Sequence, residues 1–290
     1  MPSTKEIRRR VKSVKSTRQI TKAMELVAAA KMRKAQVQTL ATRSYAQLAW
    51  QLIKNLTNKT DPRMHRLLRR PQRSGKSLIV LMTSNRGLIG AFNNNIAAKA
   101  LEYARLSPSA DFVTLGKKGR EAVRKSGFNI VADFEKHDSA ASVLAITPVA
   151  NFVIGEFLAG KCDVVTLVYM DFVSTLVQRP HVLELLPVQK PDPSLGPEFG
   201  LELADSEYLF EPSADVLLET ILPRLTSMQI YQALLETNAA EHSARMVAMK
   251  NATDAAGDII SELTLEYNQL RQSNITKEIS EIVSGKLALT

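Results

Sequence analysis

The chain has 290 residues, 45% of them apolar, and a formal net charge of +9. One cysteine, Cys162, excludes an intramolecular disulfide and fits a reducing compartment, with Cys162 read as a small buried apolar side chain. No uncharged apolar run reaches the roughly 18 residues that a membrane-spanning helix needs, and the charged start has no apolar core of a secretory signal.

The charge is concentrated at the start. Residues 1–43 hold twelve Lys or Arg against two acids, Glu6 and Glu25, so this stretch carries the whole excess. Such a segment calls for an acidic partner: nucleic acid, anionic lipid or an acidic protein surface. Residues 4 to about 58 contain no Gly or Pro and predict one long helix, with Thr4 as a cap and Glu6 in its first turn. Its apolar positions include Ile7, Val11, Val14, Met24, Val27, Ala28, Met32 and Ala35, while Arg18, Thr21, Glu25, Thr39 and Thr42 interrupt the strict heptad line. Ala28-Ala29-Ala30 is small enough for a second helix to approach closely.

Asp61-Pro62 ends that helix. The boundaries expected are a helix over 1–60, a basic linker over 61–76, a central α/β domain over 77–190, a Pro-rich return loop over 191–213 and a last helix over 214–290. Within the domain, Leu78–Met82 reads as a buried strand and Phe92–Leu106 as an amphipathic helix. Phe112–Leu115 is a second strand, Lys117–Lys125 a short helix stopped by Gly127, and Phe128–Phe134 holds a third strand. Ser142–Leu158 is mostly helical, with Pro148 just inside it or kinking it. Val164–Val173 and Thr175–Val188 form the last strand pair. This alternation predicts a mostly parallel sheet. Pro191, Pro193, Pro197 and Pro212 mark the return loop.

From Ile221 onward, steps of four and three reach Leu225, Met228, Gln232, Leu235, Ala239, His242, Met246, Met249, Thr253, Ala256, Ile260, Leu263, Tyr267 and Leu270. Only Gln232, His242 and Thr253 are polar in that series. A single heptad register of this length is a coiled-coil signal. His242 is read as a register-setting polar residue, and Pro223 as tolerated in a first turn or kinking. Two seamed helices at opposite ends of one chain pair most economically with each other, so the fold expected is α+α/β: a long antiparallel coiled coil with an inserted α/β domain.

Chemistry-bearing motifs are weak. Gly75-Lys76-Ser77 lacks the earlier glycine of a phosphate loop, which falls at Arg70, and its strand follows rather than precedes it. Gly116-Lys117-Lys118-Gly119 opens a helix and offers N–H groups to an anion, but lacks the third glycine of a dinucleotide fingerprint; an ordinary strand–helix turn explains it. His65, His137, His181 and His242 have no metal-ligand spacing. No catalytic, cofactor or metal residue is assigned. The basic helix has no aromatic before Tyr45 to stack on bases, so an acidic protein surface or a solvated face fits at least as well as nucleic acid.

Longer motifs carry a resemblance. Ile7–Met32 is similar to the N-terminal helix of the gamma subunits of F-type ATP synthases, and Ala244–Ala256 and Tyr267–Ile279 to their C-terminal helix. Ser84-Asn85-Arg86-Gly87-Leu88-Ile89-Gly90-Ala91-Phe92-Asn93 resembles the turn after their first strand, with Ile89 and Ala91 where many members have Cys and Gly. The resemblance implies a Rossmann-like inserted domain and a central rotor stalk. Such a stalk transmits torque between the membrane ring of c subunits and the catalytic hexamer of alpha and beta subunits, beside an epsilon subunit. It performs no bond chemistry, needs no cofactor and no nucleic acid, and meets the membrane only through the complex. The resemblance also implies that Arg18, Lys22, Met24 and Lys31 face acidic beta segments. It implies that Arg271, Gln272, Thr276 and Glu278 catch a beta subunit near the tip, and that Tyr208 and Glu211 touch the ring and epsilon. The absence of a long cysteine-bearing insertion argues against thiol control. The start favours a bacterial enzyme on the cytoplasmic face of the inner membrane.

Overall fold

In a computed structural model, residues 3–59, 65–69, 75–136, 142–188 and 214–287 are described; the side chains of 40, 42–59, 214–216 and 285–287 are not. Two helices dominate, α1 (Thr4–Lys59) and α5 (Ala214–Leu287). Between them lie β1 (Lys76–Met82), α2 (Phe92–Leu106), β2 (Ser109–Leu115), α3 (Lys117–Lys125) and β3 (Asn129–Phe134). A 3-10 turn (Val143–Ala145), α4 (Thr147–Leu158), β4 (Val164–Phe172) and β5 (Gln178–Leu186) complete the order. Pro148 sits in the first turn of α4, where its missing N–H costs nothing. Pro223 lies inside α5, which continues past it.

The chain divides into two compact units. The first joins Met1–Ala29 to Arg245–Thr290 and is a helix pair. Thr253 Oγ1 lies 2.8 Å from Thr21 Oγ1 and 2.8 Å from the Met249 carbonyl, within hydrogen-bond reach of both. A Cβ added at Gly257 would lie 3.7 Å from the Arg18 guanidinium carbon. Position 18 thus meets 257 and position 21 meets 253, so the helices run antiparallel. Carrying this register along sets Ile7 against Tyr267, Val11 against Leu263, Val14 against Ile260 and Ala28 against Met246. These are heptad positions on both helices, and they form the least exposed line on each: Ile7 and Ala28 are buried, Val11, Val14, Ile260, Leu263 and Tyr267 half-buried. The threonines that interrupt the two heptad lines therefore meet and satisfy each other.

The second unit, Ala30–Ala244, contains the sheet, ordered β3-β2-β1-β4-β5. β1, β2, β3 and β4 are mutually parallel where they pair, and β5 runs antiparallel to β4. β1 is buried on both faces, as expected for a central parallel strand. Leu78, Val80 and Met82 point to one core with α4 and residues Leu218–Leu235 of α5. Ile79 and Leu81 point to the other core with α2, Val123 of α3 and Ala240 of α5. β2 begins at Ser109 rather than Phe112 because Ser109 and Ala110 already pair with Lys76 and Ser77 of β1. β5 begins at Gln178 because Ser174 and Val177 exchange backbone hydrogen bonds and close a turn first.

Candidate functional site

The strand-end loops that most resemble ligand-binding motifs are filled by the chain itself. In open α/β sheets, ligands sit at the carboxyl ends of the strands. Here Thr83 follows β1 and inserts into the start of α3. Gly119 N donates to Thr83 Oγ1 at 2.7 Å, Lys118 N to the Ser84 carbonyl at 3.1 Å, and Lys117 N to Asn85 Oδ1 at 3.3 Å. The free N–H groups that would hold an anion are therefore occupied. The glycines of Gly116-Lys117-Lys118-Gly119 serve close approach: Gly116 has φ +103, and a Cβ at Gly119 would come within 2.8 Å of Thr83 Oγ1. Gly75 (φ +76) introduces β1, and Lys76 N donates to Asp163 Oδ2 at 3.2 Å, so Gly75-Lys76-Ser77 is a strand start.

A second filled position is the turn Ser84–Asn93. Asn93 Nδ2 donates to Ser84 Oγ at 2.8 Å, and Ser84 Oγ donates to the Arg86 carbonyl at 2.6 Å. Ile89 is buried in the core of α2, whereas Leu88, at φ +62, stands exposed. An open cleft of about 530 Å³ lies at the opposite, amino ends of β1 and β2, lined by Lys76, Asp111, Glu156, Lys161 and Cys162 among others. Glu156 and Lys161 pair there at 2.7 Å. Burial, and then Glu156, Asp163 and Asp111, push the Cys162 thiol up to about 12. Cys162 should thus resist alkylation at neutral pH in the folded chain and react at the normal rate in denaturant, which a timed maleimide assay checks. Among the described residues no group of His, Cys, Asp or Glu could hold a metal, and no helix is long and apolar enough to cross a membrane.

The surface features worth explaining lie on the helix pair. Arg18 and Lys22 are exposed, and Lys22 Nζ bonds both Glu25 oxygens at 3.0 and 3.1 Å. Met24 is half-buried beside them, and Lys31 is exposed on the part of α1 that belongs to the second unit. Arg271, Gln272, Thr276 and Glu278 are all exposed on α5, beyond the point where α1 begins opposite it. Tyr208 and Glu211, and the prolines of the return loop, lie outside the described residues. Large apolar side chains accompany these polar ones. Ile20, Leu26 and Val27 of α1 and Ile275, Ile279, Ile282 and Val283 of α5 are 47% to 71% exposed.

Sequence reasoning missed a polar cluster in the second unit. Thr237, Asn238, Glu241, His242 and Ser243 of α5 are all at most 3% exposed. Glu241 Oε2 accepts from Lys136 Nζ, and both side chains are buried. The only signal was the lack of large apolar residues from Thr237 to Ser243.

Gly257 lies inside the helix pair, in the interior of α5. Its missing Cβ leaves only ordinary contact distance to Arg18. Gly257→Ala should therefore stabilise by about 0.5–1 kcal/mol through helix propensity, read as a raised thermal midpoint.

The family profile described as ATP synthase matches residues 3–289. The "ATP synthase gamma chain" of Pelotomaculum thermopropionicum is 44% identical over 292 residues, covering all of both chains. That of Chloroflexus aurantiacus is 42% identical over 296 residues, again covering both fully. Among solved structures, a chain of the Euglena gracilis mitochondrial ATP synthase in rotational state 3 matches with a TM-score of 0.69 at 19% identity, covering 99% of this chain and 94% of its own. A rotor chain of the same enzyme matches at 0.65 and 22% identity, covering 94% and 98%.

Proposed function

The chain belongs to the ATP synthase gamma-chain family, and from that premise we propose that it is the central rotor stalk of an F-type ATP synthase. It carries torque between the membrane ring of c subunits and the catalytic hexamer of alpha and beta subunits, and it makes and breaks no bonds itself. The observation that carries this reading is the helix pair: a heptad seam inside, and exposed Ile, Leu and Val side chains outside. Exposed apolar residues in such number along a helix need a protein sleeve. An apolar outer surface also lets a shaft turn inside its sleeve without breaking fixed ion pairs, while the seam holds the two helices together.

In this reading Arg18, Lys22, Met24 and Lys31 meet acidic segments of the beta subunits, and basic charge on α1 guides that encounter. Arg271, Gln272, Thr276 and Glu278 catch a beta subunit near the tip. Tyr208 and Glu211 touch the ring and the epsilon subunit. The complex places the chain on the cytoplasmic face of a bacterial inner membrane.

Co-expression with the alpha and beta subunits tests this. The expected result is a nuclease-resistant, salt-stable complex whose ATP hydrolysis drives proton pumping once it is joined to the membrane sector. Recovery of the chain on nucleic acid, with affinity falling steeply as salt rises, would replace this reading. So would micromolar binding of Mg-ATP to the isolated chain by calorimetry.

A further inference from the structure

We propose that the buried Lys136–Glu241 ion pair is a positioning device that keys α5 to the sheet domain against rotation, so that torque passes between them. This rests on the stalk reading. A stalk needs a fixed joint wherever its helices meet the domain they turn. Apolar packing alone is non-directional: side chains of similar size slide past one another with little change in buried area. A charge pair out of water is directional, and separating it leaves two unpaired buried charges.

The geometry of the second unit gives that joint. Thr237 and Glu241 are one helical turn apart on α5. Thr237 Oγ1 accepts from Met170 N, at the end of β4, at 3.3 Å. Glu241 accepts from Lys136, just beyond β3. Ser243 Oγ donates to the Thr175 carbonyl at 2.6 Å, and Gln178 Nε2 donates to Ser243 Oγ at 3.4 Å, both in the β4–β5 hairpin. Lys136 is itself held from the far side, since Asn85 Nδ2 donates to its carbonyl at 2.7 Å. One stretch of α5 is therefore tied to three separate strand ends and, through Asn85, to a fourth. Turning α5 about its axis relative to the sheet breaks all of these contacts together. Both side chains of the Lys136–Glu241 pair are out of water, at 0% and 3% exposure.

The test separates a joint from a merely structural contact. In the complete ATP synthase, Lys136→Met with Glu241→Leu replaces the pair by apolar groups of similar volume, an exchange that leaves folding stability near or above the starting value. The expected result is normal assembly, a thermal midpoint no lower than that of the unsubstituted complex and normal ATP hydrolysis, with loss of most proton pumping against a large opposing gradient. If that variant does not assemble, Lys136→Met with Glu241→Gln carries the same test. Pumping equal to the unsubstituted complex at every opposing gradient would overturn the inference and leave the stalk reading intact. Failure of the unsubstituted complex to couple hydrolysis to pumping would overturn the stalk reading, and the inference with it.

Discussion

Met249→Pro is expected to leave ATP hydrolysis by the assembled hexamer in place and to abolish the proton pumping that it drives. Met249 is 4% exposed and lies in mid-helix on the heptad line of α5, one turn from the Thr253–Thr21 contact. Proline there removes the backbone donor to residue 245 and drives its ring into that carbonyl, at about 3 kcal/mol or more. Loss of the buried thioether from the seam adds to this. A kinked α5 still fits partners locally, but it cannot transmit rotation stiffly along its length. The check is the ratio of protons pumped to ATP hydrolysed in membrane vesicles. An unchanged ratio would show that α5 does not carry torque.

The second large effect is expected at Gly116. Its φ of +103 lies where side chains are strained, and an added Cβ would overlap the Thr83 carbonyl oxygen and come within 2.9 Å of Thr83 Oγ1. Gly116→Ala should therefore cost about 1–3 kcal/mol from the backbone conformation alone, with the overlap adding further loss. Thr83 is fixed on its other side, since its N–H donates to the Leu115 carbonyl at 2.8 Å, so it cannot retreat cheaply. The expected readout is a chain that expresses poorly or unfolds many degrees below the parent in a thermal scan. An unchanged midpoint would mean that Thr83 does not hold α3 as described.

What the sequence made legible follows from which forces act locally. The limits of α2 and α3 were readable to the residue, because Phe92 to Leu106 keeps a helical apolar stripe and Gly127 stops the next helix. The helix pair was readable because its seam repeats, and one polar interruption on each helix proved to be paired: Thr21 and Thr253 face each other. The strand ends were less clear, since Ser109 and Lys76 join the ladder through backbone pairing that needs no apolar side chain. The Lys136–Glu241 pair was not readable at all. The two residues are 105 positions apart and each alone looks like a solvated charge; only the packing of α5 on the sheet removes them from water. The phosphate-binding look of Gly116-Lys117-Lys118-Gly119 had the opposite cause, because close approach of Thr83 demands the same glycines as an anion would.

The most direct test of the central claim is to watch the chain turn. With the catalytic hexamer fixed to a surface and a bead attached through an exposed residue of α2, such as Lys99, ATP should drive stepwise rotation of the bead in one direction, stalling when ATP is exhausted. A bead that stays still while the same complex hydrolyses ATP would show that the hexamer works without turning this chain, and the account would be wrong.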